Sequence, residues 1–324
     1  MPVRTNHDRG TETMNQQSLM LTGKKQLEWM KEEIKRIKED EILIRTVAGA
    51  ISIGAEMPQY EESDVTDQNP RYPRGTGYES YGMVMETGEG VTDIKAGDHV
   101  LAFYGHKQAA VVKANKVVKV PGDVPYDHAL LNTLSCDAGK GVLKLKPGRK
   151  DKVLVTGAGT MGLLTLHFLK SYMKVERVDV LESDESRRAV AHTFGATQTY
   201  GDRGQVPEAV YDYGLECSAS SDAFQALLRS LKQRGEACIL SDGNKDLFFL
   251  NEAFYEKELK IVGSSDGWDY RKHSEWFFKE QINAPYVTRI FEHAISSEDL
   301  IECFAELSER KIKPLKVLVR YEKD

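Results

Sequence analysis

Gly157, Gly159 and Gly162 are spaced GxGxxG, and an acid, Glu182, follows twenty residues after the last of them. Glycines in this order suit a bound diphosphate. The first makes a tight turn, the second lets the backbone approach an anion, and the third lets a helix pack closely on a strand. Thr160 and Met161 complete the loop, and a helix N-terminus at this point aims its unpaired N–H groups at negative charge. A carboxylate at the distance of Glu182 can accept both hydroxyls of a ribose. The spacing therefore predicts a dinucleotide site built from Gly157, Gly159, Thr160, Met161, Gly162 and Glu182. A glycine loop that merely turns the chain is the bland alternative.

The flanking segments are those such a loop needs. Lys152–Thr156 reads as a buried strand, Leu163–Leu169 as an apolar helix, and Arg177–Leu181 as a second strand ending on Glu182. From about 126 to 285 strands alternate with helices, the rhythm of a parallel sheet. Strands are expected at Asp212–Cys217, Ala237–Leu240 and Lys257–Val262, the last an edge strand, and a helix at Asp222–Lys232. Cys217-Ser218 and Ser241-Asp242-Gly243 follow strands and are placed to line the crevice. Residues 40–125 read instead as short strands (Ile42–Val47, Gly82–Glu86, His99–Phe103, Val117–Val120) separated by Gly, Pro and Asp turns, a compact β region. The last forty residues hold a helix, Ser297–Glu309, and a strand, Leu315–Val319. Lys24–Asp40 is ambiguous: Leu27, Met30, Ile34 and Ile37 fall at helical spacing, while Leu27-Glu28-Trp29 alternates like a strand. Residues 1–17 are polar and are expected to be disordered.

Composition narrows the field. With 324 residues, two domains are expected. A net charge of −6 leaves no basic surplus for nucleic acid. No apolar run approaches the ~20 residues of a membrane span, and no signal-like core opens the chain. Cys136, Cys217, Cys238 and Cys303 lie far apart with no CxxC pair, which fits a reducing cytoplasm better than a disulfide framework.

Beyond the glycine turn, Gly77-Tyr78-Glu79-Ser80-Tyr81-Gly82 and the stretch from Glu86-Thr87-Gly88-Glu89-Gly90-Val91 to Gly97-Asp98-His99-Val100 resemble the GHE segment and following hairpin of the medium-chain dehydrogenase/reductase family, the zinc alcohol dehydrogenase-like proteins. Phe194-Gly195-Ala196 and Gly263-Ser264 add to the match. The resemblance implies an α/β protein in which a Rossmann-type doubly wound parallel sheet, residues 126–285, is inserted in a β-rich GroES-like catalytic domain, residues 1–125 and 286–324. It tips Lys24–Asp40 toward strand–turn–strand. It also implies a small-molecule substrate and a homodimer formed through the edge strand near Leu259–Val262.

The departures from the family bear on mechanism. Ser52 stands where the first zinc-ligating cysteine is expected, Tyr78 replaces the GHE histidine, Cys136 and Asp137 fall in the third-ligand region, and the cysteines of a structural zinc loop are missing. Serine and tyrosine are poor zinc ligands, so no catalytic zinc is expected. Hydride transfer to or from an alcohol, a carbonyl or an activated double bond then needs a side chain to manage the proton. The resemblance points Tyr78 into the cleft as that group, with Ser52 hydrogen-bonding the substrate and Glu79 orienting its neighbours. Equally, Tyr78 and Ser52 could only fill the space of a lost metal. Glu182 favours NAD over NADP by repelling a 2′-phosphate, while Arg187 and Arg188 soften that preference. His106 and His128 read as structural. A non-catalytic dinucleotide-binding redox sensor or partner subunit is the competing function.

Overall fold

The computed structural model describes residues 15–34, 36–242 and 244–321. Two large sheets organise it. Six parallel strands in spatial order Gln198–Tyr200, Arg177–Leu181, Lys152–Thr156, Tyr211–Glu216, Leu231–Ile239 and Lys260–Gly263 form the first. In chain order this is 3-2-1-4-5-6, so the sequence direction reverses between Lys152–Thr156 and Tyr211–Glu216, and a crevice opens at their C-terminal ends. Lys152–Thr156 is apolar at its centre (Val153, Leu154 and Val155, each 0% exposed), as a sheet covered on two faces requires, and Leu215 of the neighbouring strand is equally buried.

The second sheet runs Phe291–Ser296, Lys316–Arg320, Glu41–Ile51, Glu79–Thr87, His99–Ala102, Val118–Val120, with Ala109–Lys113 also paired to Glu41–Ile51. It is antiparallel except for its first pair. The C-terminal segment thus completes a sheet begun by residues 41–120. The predicted Gly82–Val100 hairpin is present, with Ser80–Met83 paired to His99–Ala102 and Gly97 at φ +89° in the turn.

The ambiguous Lys24–Asp40 stretch resolves as a strand over Gln26–Glu33, hairpinned to Asn15–Gly23. Lys25 takes the left-handed turn position at φ 56°. Leu19, Leu21 and Leu27 become buried together, which a solitary helix would not have achieved. Two expectations need correction. Asn15, Gln16 and Gln17 are strand residues, with Gln16 bonding Ser18 and Glu32, while 1–14 lie outside the described residues. The edge strand begins at Lys260, because Glu252–Glu256 forms a short helix whose carbonyls accept the Lys257 N–H.

Candidate active site

One cavity of about 930 Å³ joins the glycine turn to the β-rich sheet. The turn is shaped as its sequence predicts. Gly157 sits at φ +86°, where a Cβ would also lie 3.0 Å from Ser218 Cα. A Cβ on Gly162 would be closer than 3.0 Å to the Gly157 carbonyl oxygen, so only glycine lets the Thr160–His167 helix meet the turn. Gly159 caps that helix, and nothing lies within 4 Å of the position its Cβ would take. The backbone is therefore bare where a diphosphate has to approach it.

Glu182 lines the same cavity. Its Oε2 accepts the Ala158 N–H at 2.8 Å and its Oε1 the Asp184 N–H at 2.9 Å, so the acid braces the glycine turn while keeping lone pairs for a ligand. Arg187 lines the cavity beside it, whereas Arg188 is committed to the carbonyls of Glu182 and Ser183. Met161 and Thr160 are cavity residues too, and the Thr160 hydroxyl donates to Leu315 O at 3.0 Å, tying the turn to the C-terminal strand. Cys217, Ser218, Ser241 and Asp242 reach the cavity as expected; Gly243 lies outside the described residues.

Sequence reading missed the residue that organises these loops. Glu216, fully buried at the end of its strand, accepts from Ser218 N (2.7 Å), Ser218 Oγ (2.6 Å) and Ala219 N (3.1 Å), and also from Ser241 Oγ. A carboxylate satisfied by several donors in the interior fixes them all. The only signal in the sequence was an acid at the C-terminal end of a strand.

At the other end of the cavity Tyr78 Oη donates to Ser52 Oγ at 2.6 Å. Ser52 precedes the helix Ile53–Tyr60, and its N–H donates to Glu56 Oε1 at 2.7 Å. Glu56 Oε2 lies 3.0 Å from His106 Nε2, a pair 5% and 2% exposed. His106 reaches it only because Gly77 (φ +71°) has no Cβ, which would sit 2.7 Å from the imidazole. Burial, and then the charge of Glu79, push the Tyr78 phenol well above its usual range.

Glu79 does not line the cavity. As the first residue of its strand it buries its side chain against Lys316, whose Nζ donates to Oε2, and Oε1 has no partner among the described residues. Burial raises its pKa and the Lys316 charge opposes that rise. His128 is structural: its Nε2 lies 2.9 Å from Phe277 O and its ring stacks on Phe277.

Asp137 enters the cavity from the helix Asn132–Leu145, on one face with Thr133 and Leu134. Its Oδ1 accepts from Tyr270 Oη at 2.9 Å, and that oxygen accepts the Gly267 N–H at 2.8 Å. Burial, partly opposed by the Tyr270 bond and reinforced by Glu79, Asp266 and Asp242, pushes its carboxyl up to about 7. Its neighbour Cys136 is fully buried, with its thiol pushed up to about 11, again chiefly by burial.

A doubly wound parallel sheet with a glycine turn at its switch point, opening on a β-rich sheet across one cleft, is the scaffold of a dinucleotide-dependent oxidoreductase. Residues 38–122 match the alcohol dehydrogenase GroES-like domain. The chain is 28% identical over 264 residues to L-threonine 3-dehydrogenase of Pyrococcus furiosus, covering 69% of this chain and 75% of that protein. Its fold superimposes on L-idonate 5-dehydrogenase from Escherichia coli K-12 with a TM-score of 0.84 at 16% identity, over 95% of this chain and 99% of the other. It likewise superimposes on a short chain alcohol dehydrogenase of Escherichia coli CFT073 complexed with NADH (TM-score 0.79, 19% identity, 95% and 99% covered). These matches support the resemblance to the medium-chain dehydrogenase/reductase family.

Proposed function

We propose that this protein is an NAD-dependent, alcohol dehydrogenase-like oxidoreductase that moves hydride between the nicotinamide and an alcohol, a carbonyl or an activated double bond, without catalytic zinc. The observation that carries the reading is the single cavity running from Gly159 and Glu182 to the Tyr78–Ser52 pair. The bare backbone at Gly159 seats the diphosphate, and Glu182 takes the ribose hydroxyls, which favours NAD; Arg187 alongside leaves NADP a weaker alternative. When bound, the dinucleotide supplies the hydride acceptor or donor.

The protein's own residues do the rest. Tyr78 is held by Ser52 with its hydroxyl on the cavity wall. A phenol pushed upward keeps its proton at neutral pH and donates it in a hydrogen bond to Ser52 Oγ, which leaves the Ser52 hydroxyl hydrogen free to donate to a substrate oxygen, so the Tyr78–Ser52 pair acts as the relay that stabilises charge there. Ser52 orients Tyr78, and the Glu56–His106 pair orients Ser52 through its backbone. Glu79, paired with Lys316 behind the wall, sets the local field rather than touching substrate. The donor set fits zinc poorly: at two of the three ligand positions stand neutral hydroxyls bonded to each other.

We assign residues 1–125 and 286–324 to the catalytic unit and 126–285 to the dinucleotide unit, a division supported by the membership of the two sheets. A homodimer through the exposed edge of the Lys260–Gly263 strand, and residence in the cytoplasm, complete the reading. Its support is that this strand has a sheet partner on one side only, and that all four cysteines are free thiols. No helix among the described residues is long and apolar enough to cross a membrane.

Nicotinamide fluorescence titration with metal analysis tests the assignment. NADH binds and zinc is substoichiometric; Tyr78→Phe leaves the NADH Kd unchanged while kcat falls about 10²-fold, as loss of one oxyanion-type donor does. Stoichiometric zinc in the purified protein would end the metal-free part of the reading.

A further inference from the structure

The oxidoreductase reading leaves one task without a residue. Alcohol oxidation releases a hydroxyl proton, and Tyr78, whose phenol is held above its usual range, is a poor acceptor for it. Glu56 and Glu79 are committed to His106 and Lys316 and do not reach the cavity wall. Besides Glu182, assigned to the ribose, three carboxylates do: Asp137, Asp242 and Asp266. Asp242 and Asp266 are exposed, and neither side chain accepts a hydrogen bond among the described residues. Asp137 is half-buried and oriented. Tyr270 Oη, itself anchored on the Gly267 N–H and with its ring packed against Phe103 (centroids 5.0 Å apart), holds Oδ1, and Oδ2 has no partner among the described residues. A carboxylate fixed through one oxygen and free at the other, in the cavity that holds the hydride site, has the geometry of an acid–base group.

We propose that Asp137 is the catalytic residue that exchanges the proton of this reaction, through Oδ2. The inference rests on the oxidoreductase reading above. In oxidation, Oδ2 takes the alcohol hydroxyl proton as the carbon–hydrogen bond breaks and its electron pair leaves as hydride for the nicotinamide dinucleotide. The carbon–oxygen double bond forms, and the carboxylic acid then passes its proton to water. Reduction runs the same transfers in reverse. The environment suits this role: burial and the neighbouring Glu79, Asp266 and Asp242 bring the group to about 7, where it can both accept and release a proton near neutrality. Tyr270 tunes it, because its hydrogen bond favours the ionised form.

Three measurements on wild type, Asp137→Asn and Tyr270→Phe test this: NADH binding by fluorescence, the pH dependence of kcat/KM for oxidation of butane-2,3-diol, sorbitol and L-threonine with NAD, and NMR titration of carboxyl-labelled aspartate. Asp137→Asn is expected to bind NADH as wild type does and to lose about 10²-fold or more in kcat/KM. The rise of kcat/KM across neutral pH disappears with it. The aspartate signal missing from this variant titrates near neutrality in wild type and at higher pH in Tyr270→Phe. A wild-type rate and pH profile in Asp137→Asn, or an Asp137 signal titrating in the ordinary carboxylate range, overturns the proposal. If Asp137→Asn does not fold, the displaced pH profile of Tyr270→Phe takes its place, and an unmoved profile overturns the proposal. Failure of wild type to bind NADH overturns the oxidoreductase reading and this inference with it. If NADH binds but none of the three alcohols is oxidised, the NMR signal decides: neutral titration that responds to NAD supports the assignment, and ordinary titration sinks it.

Discussion

Replacing Gly159 and Gly162 separately by alanine distinguishes a ligand-driven glycine from a packing-driven one. At Gly159 the backbone (φ −74°, ψ −174°) is one alanine adopts freely, and no atom lies within 4 Å of the added Cβ. Gly159→Ala should therefore fold at least as stably as wild type, with a gain of about 0.4–1 kcal/mol from the restricted unfolded chain. The new methyl group, however, stands in the space the diphosphate must enter. Losing that seat should weaken NADH binding by about 10²-fold, equivalent to about 2.8 kcal/mol. At Gly162 the balance reverses. The Cβ would fall inside 3.0 Å of the Gly157 carbonyl oxygen, a backbone atom that cannot rotate away, so turn and helix must separate. Overpacking of this kind costs about 1–3 kcal/mol of stability, and it distorts the turn as well. Urea denaturation gives the first quantity and fluorescence titration the second. Gly159→Ala binding NADH with wild-type affinity would show that no diphosphate lies against this turn.

Buried histidines should make the fold acid-sensitive. Burial holds His167 down at about 3 and His273 at about 4, against an unfolded value near ~6.5, so the unfolded chain takes up protons that the folded one refuses. Their stabilising effect is whole above that value and is lost as pH falls, at about 1.4 kcal/mol per histidine per pH unit, or about 2 kcal/mol each by pH 5. Chemical denaturation at pH 7 and pH 5 should show a change in His273→Gln that differs from wild type by about this amount; equal changes in both would refute it. Lys316→Met should cost about 3–5 kcal/mol, because it strands the Glu79 carboxylate in the interior, and adding Glu79→Gln should recover most of the loss. A cost below about 1 kcal/mol on urea denaturation would mean that Glu79 is buried uncharged.

The dinucleotide half was legible because its signals are local. Strand, glycine turn, helix and acid follow one another within thirty residues, and each glycine's reason can be read from its place in the motif. The hairpin at Asn15–Glu33 was not legible, since Gln26–Glu33 satisfies helical and strand spacing alike. Its partner decides the matter, and that partner begins inside a stretch whose polarity suggested a tail. Tyr78 and Ser52, named on resemblance alone, come together at 2.6 Å although 26 positions separate them. Glu79 was named for being next to Tyr78, yet the two neighbours differ in what they reach: Tyr78 lines the cavity, and Glu79 meets Lys316, 237 positions away. Asp137 was reached only through the family's third-ligand region, and the tyrosine that orients it lies 133 positions on, where only the fold brings it.

On the proposed metal-free reading, charge pairing accounts for the stability of such a site. Glu56 and Glu79 are 5% and 3% exposed and near enough for the charge of Glu56 to push Glu79 upward. Two buried carboxylates at this range demand positive partners, and a bound dication is one way to provide them. This chain provides them from within. His106 forms a hydrogen bond with Glu56, and Lys316, carried by the last strand, brings positive charge to Glu79. A cation brought to the Ser52–Tyr78 position would then meet two neutral hydroxyls and two carboxylates already matched, leaving Asp137 as the one unmatched charged donor near it on the wall. The same pairing singles out Asp137. It is the half-buried carboxylate on the cavity wall whose hydrogen bond comes from a neutral tyrosine rather than a cation, so its proton affinity stays high enough to respond to substrate. On that reading, a site without a metal and an acid free for proton transfer are two consequences of a single arrangement of charges.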